Sequence, residues 1–586
     1  MSKVGGKAFD FKLFVRVLAY AKPYRMLFIF SVVLTVVLGA MGTARPILIR
    51  QVIDDAILGS DAPMLLNLTL ILVGLLVVES LGQFAFMYAA NWLGQSIIKD
   101  IRIELYDKLQ TFTHSFYDKT PIGQLVTRVV SDIETISQIF SQGILVIFGD
   151  LFRILVMVGA MFFFFNPILV LVSLSIIPVL FIATRWFQRG IKESFQQVRT
   201  EISNLNTFVQ EHLGGMAVVQ AFGREAQEYD KFEAINDRHR KANVRSIFYY
   251  ALFFPIIEVL SAISIGLAVW YGGMNAATGG SVTVGELTAM IIFVGMLFRP
   301  LRQLADRFNT LQMGMVASER VLNLLDNTAD IEPNGAVQLS ELQGAIDFKN
   351  VHFHYQADEP ILRDVSFAVA PGETVAIVGA TGAGKSTIIS VLMGFYPYQS
   401  GSVTIDGHEL TTLDLHALRT QLALVLQDVF LFSDTVRSNI VLGEGDITDA
   451  QIMQAAREIG IEEFIEGLPQ GLDYNVQERG GVLSAGQRQL LAFLRAYITN
   501  PSVLILDEAT SSIDSHTEEL IQRALIALTQ DRTSVIIAHR LSTIQHADRI
   551  IVLDKGQVVE VGSHTALLEA KGAYHNLYEK QFASEV

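Results

Sequence analysis

The residues Gly379-Ala-Thr381-Gly382-Ala383-Gly384-Lys385-Ser386 fit the spacing G-x-x-x-x-G-K-[ST]. Glycines at those places let backbone N–H groups close around phosphate oxygens, and a helix start behind them adds positive potential. Lys385 is then placed to reach the outer phosphates of a nucleotide and the Ser386 hydroxyl to ligate Mg²⁺, with Thr387 next in the same contact set. A second pair, Asp507-Glu508, ends the apolar run Val503–Leu506. Alone, such a pair is most often a solvated strand end. Beside a phosphate loop, Asp507 reads as a metal carboxylate and Glu508 as the group that orients or deprotonates an attacking water.

Those groups need a scaffold. The run Thr374–Val378 before the loop reads as a buried strand, and Ile388–Leu392 after it as a helix. Strand, loop and helix in that order are the context that the spacing requires. Leu483-Ser484-Ala485-Gly486-Gln487 leads into a predicted helix over 488–497, with Ser484 as its cap and a second anion-favouring end.

With these elements in place the chain resembles the ATP-binding cassette (ABC) family, whose signature is Leu-Ser-Gly-Gly-Gln. The resemblance implies ATP and Mg²⁺ as cofactors, and Ser484, Gly486 and Gln487 as contacts to ATP held by a partner chain. It implies that Tyr355 stacks on adenine and that Gln427 senses Mg²⁺ and water. It further implies that Asp514 lies in a loop crossing the dimer interface and that His539 is a switch histidine on the outermost phosphate. The catalytic set is then Glu508, His539, Gln427 and Lys385, and the metal set Ser386, Gln427 and Asp507. Singly, Tyr355 would pass for a core aromatic, Gln427 for a surface residue and His539 for a satisfied core histidine. Two positions depart from the family pattern: Ala485 stands where a glycine is usual and Ile513 where a small residue is usual. A methyl group at Ala485 would crowd a close phosphate approach.

The front half is built differently. The chain is 51% hydrophobic with mean hydropathy +0.39, too apolar for an ordinary water-facing domain alone. Apolar runs predict six spanning helices over 26–49, 65–90, 139–164, 168–187, 247–271 and 285–307. Trp92, Trp186 and Trp270 fall at their ends, where interfacial tryptophans are expected. Lysines and arginines gather before the first span and between spans two and three and four and five, whereas 164–167 and 272–284 hold none. Both termini are therefore expected in the cytoplasm, with the chain in the inner membrane. The first residues lack the apolar core of a cleavable signal peptide, and Phe11–Leu18 reads as an amphipathic helix on the inner surface.

The expected fold class is an all-α six-helix transmembrane domain fused to an α/β P-loop nucleotide-binding domain. Its divisions are an N-terminal elbow (1–25), the membrane domain (26–319), a linker (320–344) and the nucleotide domain (345–586). Helical arms over 94–138 and 188–245 reach out of the bilayer. Around Ser115–Arg128 and Glu211–Glu225 they resemble the coupling helices of ABC exporters. The absence of cysteine excludes disulfides and thiolate metal sites, and a net charge of −15 argues against nucleic acid as a partner. Glu79 and Glu258 are costly carboxylates within predicted spans, either facing a watery cavity or paired; Asp150 and Arg153, three apart, are expected to pair with each other.

The function implied is ATP-driven export of a hydrophobic or amphipathic substrate by two half-transporter chains. An ATP-gated channel or membrane regulator using the same engine is the alternative.

Overall fold

The computed structural model of the chain describes residues 11–339, 341–356, 358–442, 447–507, 515–538 and 540–581; several side chains between 301 and 309, and those of Ser515, Ser542 and Gln581, lie outside that description. The chain divides into two compact units. One comprises residues up to Gln110 and Pro121–Asn327, the other Thr111–Thr120 and Thr328–Val586.

The described part of the first unit is made of helices joined by short turns. Among the described residues, five helical stretches, Arg25–Ile57, Ala62–Gln110, Ile122–Phe164, Pro167–Gly214 and Glu225–Ala277, are long and apolar enough to cross a membrane. The sixth expected span lies on the helix Val284–Leu325. Many of their apolar side chains face outward, among them Leu66, Leu70, Leu155, Phe163 and Ile182. In water such a surface would be unsustainable; lipid is the solvent it suits. The fourth span is broken after Leu174 and restarts at Ile177, where Pro178 occupies a helix start. The turn before it is capped by Asn166, whose side-chain oxygen accepts from Ile168 N (3.0 Å).

At the loop-side ends of these helices, Asp54 accepts hydrogen bonds from Thr283 Oγ1 (2.5 Å) and Gly285 N (2.8 Å). A Cβ on Gly285 would meet Arg50 O at 2.6 Å, so that approach requires glycine. The intramembrane charges are arranged differently from the expected Asp150–Arg153 pair. Among the described residues, Arg153 Nε and Asp150 Oδ2 are buried without hydrogen-bond partners. The two side chains do act on each other electrostatically, as expected, but Arg153 also flanks Gly42 together with Glu79 and feels Arg45 and Arg299, and Asp150 also feels Arg307. Neighbouring helices present charges to both groups, so spacing along one helix does not by itself decide the partner.

The second unit is α/β. A four-stranded sheet has the order β2-β1-β4-β5, formed by β1 (Ile346–His354), β2 (Pro360–Val369), β4 (Ser400–Ile405) and β5 (His408–Glu409). A six-stranded sheet has the order β10-β9-β3-β8-β7-β6. Its members are β3 (Thr374–Gly379), β6 (Leu422–Val425), β7 (Val503–Asp507), β8 (Thr533–Ile537), β9 (Arg549–Asp554) and β10 (Gln557–Gly562). All are parallel except β10, which turns back antiparallel on β9.

Alternation along the central strands sends side chains to opposite faces. Val375, Ile377, Ile505, Val535 and Ile537 join one core, shared with the four-stranded sheet and the helix Lys385–Leu392. Leu504, Leu506 and Ile536 join another, shared with the helix Ala485–Ile498. The phosphate-loop helix and the signature helix thus pack on opposite faces of one sheet. The segment expected as a linker is helical at its start, since Val284–Leu325 runs through Arg320, and the unit boundary falls at Asn327/Thr328.

Candidate functional site: a nucleotide cradle at the sheet edge

Parallel pairing brings the carboxyl ends of four strands to one edge. Ile377 of β3 is level with Ile537 of β8, which is level with Asp507 of β7, and Val425 of β6 is level with Leu506. The phosphate loop, Asp507 and Gln427 therefore leave the sheet side by side, the usual position for a ligand site in an open α/β sheet. Glu508, Asp514, His539 and Ile513 lie outside the described residues.

The loop's shape depends on its glycines. Gly379 has φ 156° and Gly384 φ 105°. A Cβ on Gly379 would fall 2.2 Å from Leu553 O of β9, a clash with backbone that cannot be relieved. Gly382 (φ 83°) has open space around it and, with Thr381, is exposed. Ala383 is buried, and its N–H turns to the Ala380 carbonyl (3.1 Å), closing the loop.

Lys385 opens the following helix and is only 7% exposed. Its Nζ donates to Gly379 O (2.7 Å) and Ala380 O (3.2 Å), curling the ammonium back over the loop. Burial pulls the ammonium below its ordinary pKa, and the Asp507 charge opposes that pull. A buried cation held by two neutral carbonyls is under-neutralised, and an anion such as a phosphate would complete it.

Ser386 Oγ donates to Asp507 Oδ2 (3.2 Å). One hydroxyl and one carboxylate at that distance suit Mg²⁺, which takes few protein ligands and fills its octahedron with phosphate oxygens and water. Gln427 is exposed two residues past β6, on the same edge.

Tyr355 follows β1 and is 44% exposed. Its ring stands edge-on to Phe353 (4.8 Å) and Tyr396 (4.9 Å), and its hydroxyl reaches Thr387 Oγ1 (3.4 Å). The ring is thereby fixed beside the phosphate-loop helix and stays half exposed.

The signature residues form a separate feature. Ser484 caps the helix Ala485–Ile498: it accepts from Gln487 N (3.2 Å), while Gln487 Oε1 accepts from Ser484 N (2.9 Å). This capping box starts the helix three residues earlier than the sequence suggests. Ser484 and Ala485 are exposed and Gly486 is buried. The structure thus groups Tyr355, the loop, Ser386 and Asp507, with Gln427 exposed at the same sheet edge, while the signature helix packs on the opposite face. Sequence reasoning missed Leu553, which forces Gly379, and Tyr396, which props Tyr355. Tyr396 sits in an aromatic run, Phe395-Tyr396-Pro397-Tyr398, that looks like ordinary core.

Comparison with known proteins agrees with this geometry. Residues 28–301 match the family model for the ABC transporter transmembrane region, and residues 362–511 that for the ABC transporter. The ABC transporter ATP-binding protein YknV of Bacillus subtilis (strain 168) is 37% identical over 99% of this chain and 96% of its own length. An ATP-dependent lipid A-core flippase of Syntrophus aciditrophicus (strain SB) is 33% identical over 98% of this chain and 95% of its own. A solved bacterial Atm1-family ABC exporter with ATP bound superposes with TM-score 0.76 at 29% identity, covering 95% of this chain and 98% of that one. The chain belongs to the ABC transporter family, an exporter with its membrane helices and its ATP-hydrolysing domain on one polypeptide.

Proposed function

We propose that two copies of this chain, or one copy and a related half-transporter, export a hydrophobic or amphipathic molecule such as a drug, a lipid or a lipid-linked compound. The observation that carries this reading is the placement of phosphate loop and signature helix on opposite faces of one sheet. Neither face can close a nucleotide site by itself, but two copies facing each other can close two. The lipid-facing helices and the similarity to a lipid A-core flippase favour an amphipathic cargo. Both termini face the cytoplasm of an inner membrane, as the lysine and arginine distribution indicates.

In this mechanism Tyr355 stacks on adenine, the Gly379–Gly384 backbone and Lys385 hold the phosphates, and Ser484 and Gly486 of the second chain approach from across the interface. Ser386, Asp507 and Gln427 would hold Mg²⁺, which when bound would offset phosphate charge. Glu508 orients water or takes its proton, and His539 and Asp514 report the outermost phosphate to the facing chain. Binding closes the two nucleotide units and turns the cavity outward; hydrolysis resets the pair.

Glu508→Gln tests the assignment, because it keeps shape and removes basicity. Hydrolysis should fall by ~10²–10⁴-fold while Mg-ATP still binds and a closed dimer accumulates. Hydrolysis at the parent rate would move the base to another residue.

A further inference from the structure

We propose that the surface helix Phe11–Ala19 binds the phosphates of anionic phospholipids, and that Arg16 leaves Asp326 for a headgroup when it does so. This rests on the reading that the N-terminal end of the chain lies at the inner membrane surface.

The helix has the side chains for such a surface. Phe11 (68% exposed) and Val15 (49% exposed) stand four residues apart, and so do Lys12 and Arg16, both exposed, on the adjoining stripe. No acidic residue occurs between Phe11 and Ala19, and the exposed Lys22 and Arg25 follow. Val17 and Ala21 are buried, so the other side of the segment is turned into the protein. An outward row of apolar side chains beside a row of cations matches an anionic bilayer surface. The first enter the acyl boundary and the second meet phosphate.

Arg16 has another partner in the structure. Its Nη1 donates to Asp326 Oδ2 (2.5 Å) and its Nη2 to Asp326 Oδ1 (2.6 Å), a fork across 310 positions of sequence. Asp326 ends the helix Val284–Leu325, and this stretch of the membrane unit stops one residue later, at Asn327. A carboxylate at a helix C-terminus faces carbonyl oxygens left without donors, so its charge is disfavoured there unless a cation offsets it. The Arg16 hydrogen bonds, with the charge of Lys108 in support, hold the Asp326 carboxyl below its ordinary pKa.

The pair is open to exchange. Its two side chains are 44% and 52% exposed. An exposed pair is held weakly, and a phosphate offers Arg16 the same two-pronged geometry. The far end of the helix is tied differently. Tyr20 Oη donates to Glu104 Oε2 (3.0 Å) and Tyr24 Oη to Asp100 Oδ2 (2.9 Å), both on the helix Ala62–Gln110. These neutral hydroxyls are not drawn to a lipid phosphate as a cation is, so this end stays docked while the Arg16 end changes partner. Without Arg16, Asp326 is left against the helix dipole, and the last turn of Val284–Leu325 loosens.

The test uses the full chain in nanodiscs of phosphatidylcholine titrated with phosphatidylglycerol. The native sequence has no cysteine, so Val15→Cys can carry a single bimane on the outward face. In the parent its emission should move to the blue as phosphatidylglycerol rises. Asp326→Asn removes the competing carboxylate and should lower the midpoint roughly 2- to 5-fold, the worth of an exposed ion pair. Arg16→Gln should raise the midpoint, because exchange requires the phosphate contact to be the stronger of the two. Adding Asp326→Asn to Arg16→Gln should change nothing further. A pair that only held the helix in place would instead make both single variants enter the membrane more readily. Midpoint shifts of one sign, a further effect in the double variant, or a parent indifferent to phosphatidylglycerol would each overturn the proposal. Glycerol phosphate in solution should leave the emission unchanged; a shift with it would mean that Arg16 takes free phosphate, and would remove the membrane as partner. Arg16→Lys, which keeps the charge without the fork, replaces Arg16→Gln if that variant fails to fold, and should raise the midpoint less. Nanodiscs carry the same lipids on both faces, so the result does not depend on sidedness. Labelling of Lys22→Cys by an impermeant maleimide, in sealed right-side-out vesicles and again after opening them, tests that reading separately.

Discussion

The phosphate loop and the signature helix are both helix starts aimed at anions, yet they are built in opposite ways. The loop is glycine-dependent and partly buried: a side chain at Gly379 would strike Leu553 O, and Lys385 is buried over two carbonyls. The signature end is relaxed and open, with an ordinary capping box and an exposed Ser484. Glycines fix a backbone shape where function needs it prepared, and an ordinary, exposed helix end is one that can meet something arriving from outside. Most of the binding geometry is thus prepaid on one face, and the other face supplies the contact that closes the site.

The largest effect that sharpens this contrast should come from Lys385. Lys385→Met removes the buried cation and should slow hydrolysis by ~10²–10³-fold, the scale of losing one preorganised charge stabiliser. ATPase assays on purified protein decide it; near-parent activity would mean that the curled ammonium is structural. Tyr355→Ala should act on binding alone. ATP affinity should weaken by about 1–3 kcal/mol, the worth of one base–aromatic stack, with turnover at saturation nearly unchanged. Titration with a fluorescent ATP analogue measures this, and equal affinity would return Tyr355 to the core aromatics.

The smallest effect belongs to the relaxed end. Ala485 adds a methyl group at an exposed position where a phosphate is to approach the backbone. Ala485→Gly should raise ATPase activity a few-fold at most in a dimer of this chain alone, because glycine at the first helical turn also costs about 0.5–1 kcal/mol of helix stability. Unchanged activity would show that the methyl group does not limit the site.

What was legible in the sequence was whatever is contiguous. The loop, the strand before Asp507 and the Ser484 cap are each written in a handful of neighbouring residues, and each takes the predicted form. The long apolar runs read correctly as helices for the same reason, though the break after Leu174 was hidden because Pro178 at a helix start leaves the run apolar. What could not be read were pairings across the fold. Arg153 turning towards Glu79, Leu553 excluding a side chain from Gly379, and Asp118 meeting Tyr396 join residues between 74 and 278 positions apart. Helix spacing can propose an Asp150–Arg153 pair, but only packing decides which of several neighbouring charges a side chain faces.

The open signature end of one chain is expected to close on the phosphate loop of another. Thr381 and Ala485 are both exposed, and the native sequence has no cysteine. A chain carrying Thr381→Cys and Ala485→Cys can therefore be oxidised with no competing thiol, and a disulfide forms only where the two Cα atoms come within about 7 Å. With Glu508→Gln to hold the closed state, Mg-ATP should produce a covalent dimer on a non-reducing gel. Neither single-cysteine chain should produce it, nor the double-cysteine chain without nucleotide. A link within one chain, or a dimer band indifferent to ATP, would contradict the claim.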